Sequence, residues 1–343
     1  ERRIGAGTWC TTKERSVDHR RGDDLSLGYA SLFSAPVILL LVTRNIWTAT
    51  SALTSYGTWL SHDLIKMKAI VTGGAGFIGS HLVDRLINDG KEVRVIDNLS
   101  SGSMKHLSQW GDDPMMELME LDLLDKTSLD NALKGCDEVY HLAANPEVNA
   151  KNASPEDHFR QNIEATYNLL EAMRRSGEQR FIAFTSSSTV YGEADAIPTR
   201  EDYGPLVPIS LYGASKLSCE ALLTAYASMY GFRAIIYRLA NVVGPRSNHG
   251  VIYDFVHKLR ASSGELEVLG DGSQSKSYLY VDDCISGILK GIERGNQVDI
   301  YNIGSWDRTN VLEIAETVKD EMGLAEAKIR LTGGVDGGRG WKG

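Results

Sequence analysis

The chain has no surplus of positive charge and no closely spaced cysteine pair. Its N-terminal region has no apolar run long enough to cross a membrane. Lys+Arg number 36 against 45 Asp+Glu, for a formal net charge of −9. A nucleic-acid binder needs a basic surface to neutralise phosphates, so no nucleic-acid partner is expected. The four cysteines, Cys10, Cys136, Cys219 and Cys284, form no CxxC pair and no zinc-like spacing. Neither a disulfide framework nor a metal site is expected, and the thiols fit a reducing, cytoplasmic compartment. The one apolar run of the N-terminal segment, Ala35 to Val42, falls far short of the ~20 residues that span a bilayer. It also lies too far from the N-terminus for a standard signal peptide, so no membrane association is expected. No internal repeat or low-complexity tract interrupts the sequence.

A length of 343 residues accommodates one large domain or two modest ones. Residues 1–66 differ from the rest, with eight Lys/Arg against six Asp/Glu and three of the six tryptophans. They show no sustained period. They read as an extension outside the catalytic fold, with a membrane tether or targeting segment as the alternative. From Met67 onward, short β-rich runs alternate with helical stretches, which indicates an α/β fold with a doubly wound, Rossmann-like parallel sheet. Strands are expected at Lys68–Val71, Val93–Ile96, Met116–Leu121, Glu138–His141, Arg180–Thr185 and Arg233–Tyr237. Ile78, Leu82, Val83, Leu86 and Ile87 recur at helical spacing before Gly90, and further helices are expected around Asp157–Ser176 and Tyr212–Tyr230. The near-continuous apolar strands suit a sheet buried on both faces. After Gly244 the rhythm becomes irregular. Helices are expected around Val251–Ser262, Asp282–Arg294 and Asn310–Met322, with Val298–Ile303 returning to the sheet. Residues 67–240 are therefore assigned to a dinucleotide-binding domain and 241–343 mostly to a smaller C-terminal substrate lobe. The glycine-rich stretch from Gly333 to Gly343 closes no element and is expected to mark a truncated end.

The run AIVTGGAGFIGSHL places Gly73, Gly76 and Gly79 between the first strand and the first helix. The first glycine permits a tight turn and the second lets a pyrophosphate approach the backbone. The third allows close helix–strand packing, with the helix N-terminus facing the phosphates. Asp97 ends the next strand. A carboxylate there accepts hydrogen bonds from the adenosine ribose hydroxyls and repels a 2′-phosphate, and no arginine follows in Asn98-Leu99-Ser100-Ser101-Gly102 to receive one. NAD is the expected cofactor, rather than NADP.

Tyr212 and Lys216 stand at i and i+4, on one helical face. A free phenol has a pKa of about 10. A cation about 4 Å away, at an effective dielectric of about 20, contributes roughly 4 kcal/mol, or about three pKa units. The lysine is therefore expected to make Tyr212 a usable base, helped by an oxidised nicotinamide. Just upstream, the strand ends in the hydroxyl run Thr185-Ser186-Ser187-Ser188-Thr189, at the edge where open α/β sheets place ligands. One of Ser186–Ser188 is expected to bind a reacting substrate hydroxyl, while most of the others satisfy local backbone groups.

Taken in order, TGGAGFIGS, DNLSSG, HLAANPEV, FTSSSTVYGE, YGASK, RLANVVGPR, LGDGSQSKSYLYVDD and YNIG resemble the extended short-chain dehydrogenase/reductase family, within its NAD-dependent epimerase/dehydratase group. The likeness is greatest to the UDP-glucose 4-epimerase branch and covers about Met67 to Gly343. It implies that Tyr212 is the base, that Lys216 binds the nicotinamide ribose and that Ser187 holds the sugar 4-hydroxyl. It further implies a cofactor site of Gly73, Gly76, Phe77, Ile78, Gly79, Asp97, Asn98, Ser101 and Gly102, together with Asp122 and Leu123 near the adenine, Ala143, Ala144, Asn162, Tyr212 and Lys216. The substrate residues it implies are Asn145, Ser187, Ser188, Asn241, Lys276 and Arg339. Lys276 stands where the family usually has arginine, which keeps the charge but loses the bidentate fork. The partner implied is a UDP-hexose, and family members commonly form homodimers through helices equivalent to Asp157–Ser176 and Tyr212–Tyr230.

Family dehydratases carry an Asp-Glu pair where Ser188 and Thr189 stand, and related decarboxylases carry a glutamate at the Thr189 position. Neither acid is present, so redox-neutral epimerisation at carbon 4 is the expected reaction. The alternatives are a net NAD-dependent nucleotide-sugar reductase or dehydrogenase, and a non-catalytic dinucleotide-binding regulator that would have no need of Tyr212 and Lys216.

Overall fold

The computed structural model describes residues 68–147, 154–178, 180–293 and 295–333. The expectations for residues 1–66, Met67 and Arg339 lie outside these residues. Seven parallel strands are laid down with intervening helices. In the first half, β1 is Lys68–Thr72, α1 Phe77–Asn88, β2 Glu92–Asp97, β3 Met116–Glu120, α2 Lys126–Ala132, and β4 Glu138–His141. Then follow α3 Pro155–His158, a π-helical segment Phe159–Glu164, α4 Ala165–Ser176, β5 Phe181–Ser187 and a 3-10 turn Ser188–Tyr191. The helix α5, Leu211–Tyr230, leads to β6, Arg233–Leu239.

The remainder comprises β7 Asn241–Val243, α6 Val251–Ala261, β8 Glu265–Val268, β9 Ser275–Lys276, β10 Tyr278–Tyr280 and α7 Val281–Gly291. It ends with β11 Val298–Ile303, β12 Thr309–Asn310, α8 Val311–Glu321 and β13 Lys328–Leu331. The main sheet runs β3-β2-β1-β4-β5-β6-β11. Its order reverses between β1 and β4, and that switch point opens a crevice at the strands' carboxyl ends.

Burial on both faces follows from the strand sequences. Ile70, Val139, Ile182, Phe184 and Ile236 enter one apolar core with α4 and α5. Their strand neighbours Val71, Tyr140, Ala183, Ile235 and Tyr237 enter the other with α1 and α7. Successive side chains alternate sides, so runs without polar breaks are what such a sheet requires. A third cluster, around Phe255, Leu259, Leu266, Val268, Ile314 and Val318, joins α6, α8 and the β8–β13 pair.

Two differences from expectation bear on the site. The strand expected over Arg180–Thr185 runs to Ser187, pairing with β6 as far as Leu239, which brings Ser186 and Ser187 onto the sheet's end. The helix expected over Asp157–Ser176 begins at Pro155, where Ser154 and Asp157 form a capping box, and passes through the π segment before α4. Hydrophobic period does not distinguish a short π segment from regular helix. The segment holds Asn162, whose side chain accepts from Asn145 N at 2.7 Å and donates to Ser215 Oγ at 2.8 Å.

At the end of β4, His141 is fully buried. Thr166 gives its proton to Asn162 O at 2.6 Å, so it accepts from His141 Nε2 at 2.9 Å. Thr72 then donates to Nδ1 at 2.7 Å, which fixes the neutral Nε2–H tautomer. Burial, then the nearby Lys216 charge, push the ring down to about 3. The unfolded chain takes up a proton below about pH 6.5 and the folded chain does not. The neutral ring therefore contributes fully above pH 6.5, and its contribution is lost as pH falls toward 3. By pH 5 the loss is about 2 kcal/mol. Urea midpoints between pH 6.5 and 5 are expected to fall less steeply for His141→Gln than for the wild type, by about one proton in the slope. Equal slopes would contradict the burial account.

Candidate active site

A cavity of about 880 Å³ lies over the carboxyl ends of the strands, lined at one side by Gly73, Phe77, Ile78 and Gly79 and at the other by Asn241, Lys276 and α6. Its cofactor side is built by the turn after β1. Gly73 takes φ +70, and a Cβ there would sit 2.7 Å from Ala143 N, so only glycine fits against the end of β4. Asp97 is buried. It accepts from Ala75 N at 2.9 Å and from Leu99 N at 2.9 Å, holding the glycine turn to the end of β2. Its remaining lone pairs suit ribose hydroxyls. No side chain caps α1 at Gly76 and its first turn holds no acid, so the amide end of the helix suits an anion. These residues fit a dinucleotide.

The other expected cofactor residues divide. Ser101 and Ala144 line the cavity. Ala143 packs on Gly73, and Gly102 lies against Asp97. Asn98 donates to Asp122 at 3.0 Å, joining the loops after β2 and β3, and buried Leu123 accepts from Asn168 through its carbonyl. Asn162 is not among the cavity-lining residues. Its amide is spent on Asn145 and Ser215, so it supports the loop after β4 from behind. Asn145 is likewise outside the lining, and its side chain accepts from Glu147 N.

The reactive side is carried by α5 and the end of β5. Ser210 caps α5 by accepting from Gly213 N at 3.0 Å, so Tyr212 and Lys216 fall on its first turns. Buried Lys216 donates to Thr185 O at 2.8 Å. Its Nζ lies 4.8 Å from the centre of the Phe184 ring and 5.9 Å from that of Tyr212. Burial lowers its pKa to about 8. Burial also pushes the Tyr212 phenol up to about 12, against a hydrogen bond with Ser187 that pulls it down. The acidification expected from Lys216 alone is not what this arrangement delivers. The ammonium faces a carbonyl and two ring faces, and desolvation outweighs Ser187. Ser187 also accepts from Thr189 N and Thr189 Oγ1 at 3.2 and 3.0 Å.

On the substrate side, Ser187, Ser188, Asn241 and Lys276 all line the cavity. Asn241 donates to Ser277 O at 3.1 Å, which leaves its side-chain carbonyl to a ligand. Burial lowers the Lys276 ammonium. Tyr253, His257 and Arg260 of α6 also reach the cavity and were absent from the expected site. Their i, i+4, i+7 spacing around Val256 marks one helical face and was the available signal. No carboxylate lines the cavity among the described residues, while Lys216, Arg260 and Lys276 do, so the space favours an anionic ligand.

The sequence model of the NAD dependent epimerase/dehydratase family matches residues 69–304. A putative UDP-glucose 4-epimerase of Methanocaldococcus jannaschii is 34% identical over 263 residues, which are 74% of this chain and 82% of that protein. UDP-glucuronic acid decarboxylase 6 of Arabidopsis thaliana is 36% identical over 264 residues, 74% of each chain. A crystal structure of a UDP-galactose 4-epimerase superposes with a TM-score of 0.70 at 46% identity, covering 78% of this chain and 87% of that one. No helix among the described residues is long and apolar enough to cross a membrane. With this fold, this crevice and these likenesses, the chain belongs to the NAD-dependent epimerase/dehydratase family, within the extended short-chain dehydrogenases/reductases.

Proposed function

We propose that the chain catalyses NAD-dependent epimerisation at carbon 4 of a UDP-hexose of the UDP-glucose/UDP-galactose type, through a transient 4-keto sugar. The observation that carries this reading is a cavity holding Tyr212, Lys216 and a row of hydroxyls but no carboxylate among its described residues. Loss of water or of carbon dioxide in the relatives described above calls on acids at positions 188 and 189, which here are Ser188 and Thr189. Epimerisation needs only a base and a reversible hydride acceptor.

Gly73, Gly76, Gly79 and Asp97 hold the dinucleotide and Lys216 its nicotinamide ribose. Bound NAD supplies the hydride acceptor for carbon 4 and a positive ring charge that favours the Tyr212 phenolate. Ser187 orients the sugar 4-hydroxyl, and Tyr212 takes its proton as the 4-keto sugar forms. The sugar turns while Lys276 and Asn241 keep the nucleotide anchored, carbon 4 takes hydride back on its other face, and Tyr212 returns the proton to the 4-oxygen. Proton and hydride both come back, so no cofactor is consumed.

Incubating the purified chain with NAD and separate UDP-sugars, and resolving the products by epimer, tests the reading. Interconversion of UDP-glucose and UDP-galactose without net NADH is the expected result. Stoichiometric NADH would point to a dehydrogenase, and carbon dioxide release from UDP-glucuronic acid to the decarboxylase seen among the relatives. Lys276→Arg is expected to restore a bidentate grip on the diphosphate. It should lower KM about tenfold with kcat nearly unchanged, which steady-state kinetics will read; an unchanged KM removes Lys276 from the diphosphate site. A homodimer belongs to the same proposal. It is supported by Phe159, Tyr167 and Met229, which expose apolar surface along the π segment, α4 and α5, and sedimentation at micromolar concentration tests it.

A further inference from the structure

Outside the groups given a chemical role, the strongest buried charges sit behind the site. Glu220 and Arg238 are almost fully buried and paired at 2.7 Å. Glu220 lies on α5 one turn after Lys216, on the same helical face. Its Oε1 accepts from Ser186 Oγ at 2.5 Å, while Lys216 donates to the carbonyl of the preceding residue, Thr185. Two adjacent residues of β5 are thus tied to two residues of α5 one turn apart. Arg238, from β6, donates through its other nitrogen to Tyr191 Oη at 2.9 Å and to Glu201 O at 3.1 Å. Tyr191 in turn donates to Asn302 Oδ1 at 2.7 Å. The segment from Ser186 to Tyr191 is therefore held at both ends by the same ion pair. Between those ends stand Ser187, Ser188 and Thr189, all lining the cavity.

We propose that the Glu220–Arg238 pair is a positioning device for the reaction, clamping the hydroxyl segment 186–191 against α5 so that Ser187 and Tyr212 keep their alignment. A buried ion pair is a poor device for stability alone, because desolvation cancels much of its attraction and apolar residues of like volume often replace it without loss. This pair instead spends its hydrogen bonds on the two ends of one functional segment, where small displacements cost rate. The inference rests on the catalytic reading above only for the roles of Tyr212 and Ser187.

The test is the double variant Glu220→Leu/Arg238→Met, which removes both charges together and strands neither. The expected result is near-wild-type melting and NAD content, kcat down about 10- to 100-fold, and KM for the UDP-sugar within about threefold. Amide hydrogen exchange over 186–191 should quicken while the rest of the sheet is unchanged. A purely structural pair predicts wild-type kcat once the protein folds, and that outcome overturns the proposal. Should the double variant fail to fold, Ser186→Ala and Tyr191→Phe keep the ion pair and release one end each. Each is expected to lower kcat about three- to tenfold, and wild-type kcat in both overturns the clamp. If the wild type itself turns over no UDP-sugar, the proposed reaction fails, and the exchange measurement decides the clamp: unchanged exchange over 186–191 rejects it.

Discussion

Tyr212→Phe is expected to cut turnover by at least ~10³-fold while NAD binding stays within about twofold of the wild type. In the proposed reaction the phenol would contribute a proton-transfer step worth on the order of 10²–10⁴ in rate. The hydroxyls of Ser187 and Ser188 beside it are far weaker bases, no carboxylate lines the cavity among the described residues, and the lining imidazoles His249 and His257 belong to α6 and the loop before it rather than to the Ser187 side. Of the residues assigned to the dinucleotide, Gly73, Phe77, Ile78 and Gly79 belong to the turn after β1 and to α1, and Lys216 is unchanged, so removing one oxygen leaves their contacts intact. Burial raises the phenol to about 12 against the pull of Ser187, and in the proposed reaction the positive charge of an oxidised nicotinamide would favour its ionised form. Lys216→Met is accordingly expected to act mainly through ribose binding and the Thr185 carbonyl, raising the Kd for NAD. Retained turnover in Tyr212→Phe, measured by product epimer under saturating NAD, would remove the phenol from the mechanism. Lost NAD binding would show that the variant has disturbed more than the proton transfer.

The fold was legible because this sheet is buried on both faces. Val/Ile-rich runs such as Ala69–Val71 and Ala234–Tyr237 are buried and leave no solvent face to confuse their period. The glycine turn and the Tyr212–Lys216 spacing were legible for the same reason, since both are local geometry written in consecutive positions. Nonlocal geometry was not legible. The direction of the Lys216 ammonium, toward Thr185 O, depends on where β5 ends, and β5 runs two residues further than the strand expected from the sequence. The hydrogen bonds of Asn162, in the π segment, to Asn145 and Ser215 join residues far apart in sequence, and no periodicity reveals them. The contribution of α6 through His257 and Arg260 was missed because an exposed polar stripe reads as solvated surface until another wall is set opposite it. The Glu220–Arg238 pair joins positions 18 residues apart on different elements, and no spacing rule connects them.

The second large effect is expected at Gly79, inside the first turn of α1. A Cβ added there would lie 2.1 Å from Gly73 O and 2.9 Å from Gly74 Cα. Both are backbone atoms, so no side chain can swing aside. Nor can the turn retreat: Gly73 N donates to Ile96 O at 2.8 Å and its Cα already packs against Ala143. Gly79→Ala must therefore push α1 off β1, prising Leu82, Val83 and Leu86 out of their core. Overpacking of this kind costs about 1–3 kcal/mol or more, against a helix-propensity gain of up to ~1 kcal/mol. A net loss of about 2 kcal/mol corresponds to a fall of roughly 4–8 °C in melting temperature for a unit of this size. The amides at the start of α1 move with the helix, so the affinity for NAD should drop at least about tenfold, more than the stability loss alone would cause. Gly264→Ala is the control, because nothing lies within 4 Å of its added Cβ, and it should shift stability by no more than about 0.5 kcal/mol. Calorimetric melting with and without NAD separates the two effects. A Gly79→Ala protein that melts and binds NAD like the wild type would mean that the glycine turn is not the rigid seat on which the cofactor depends.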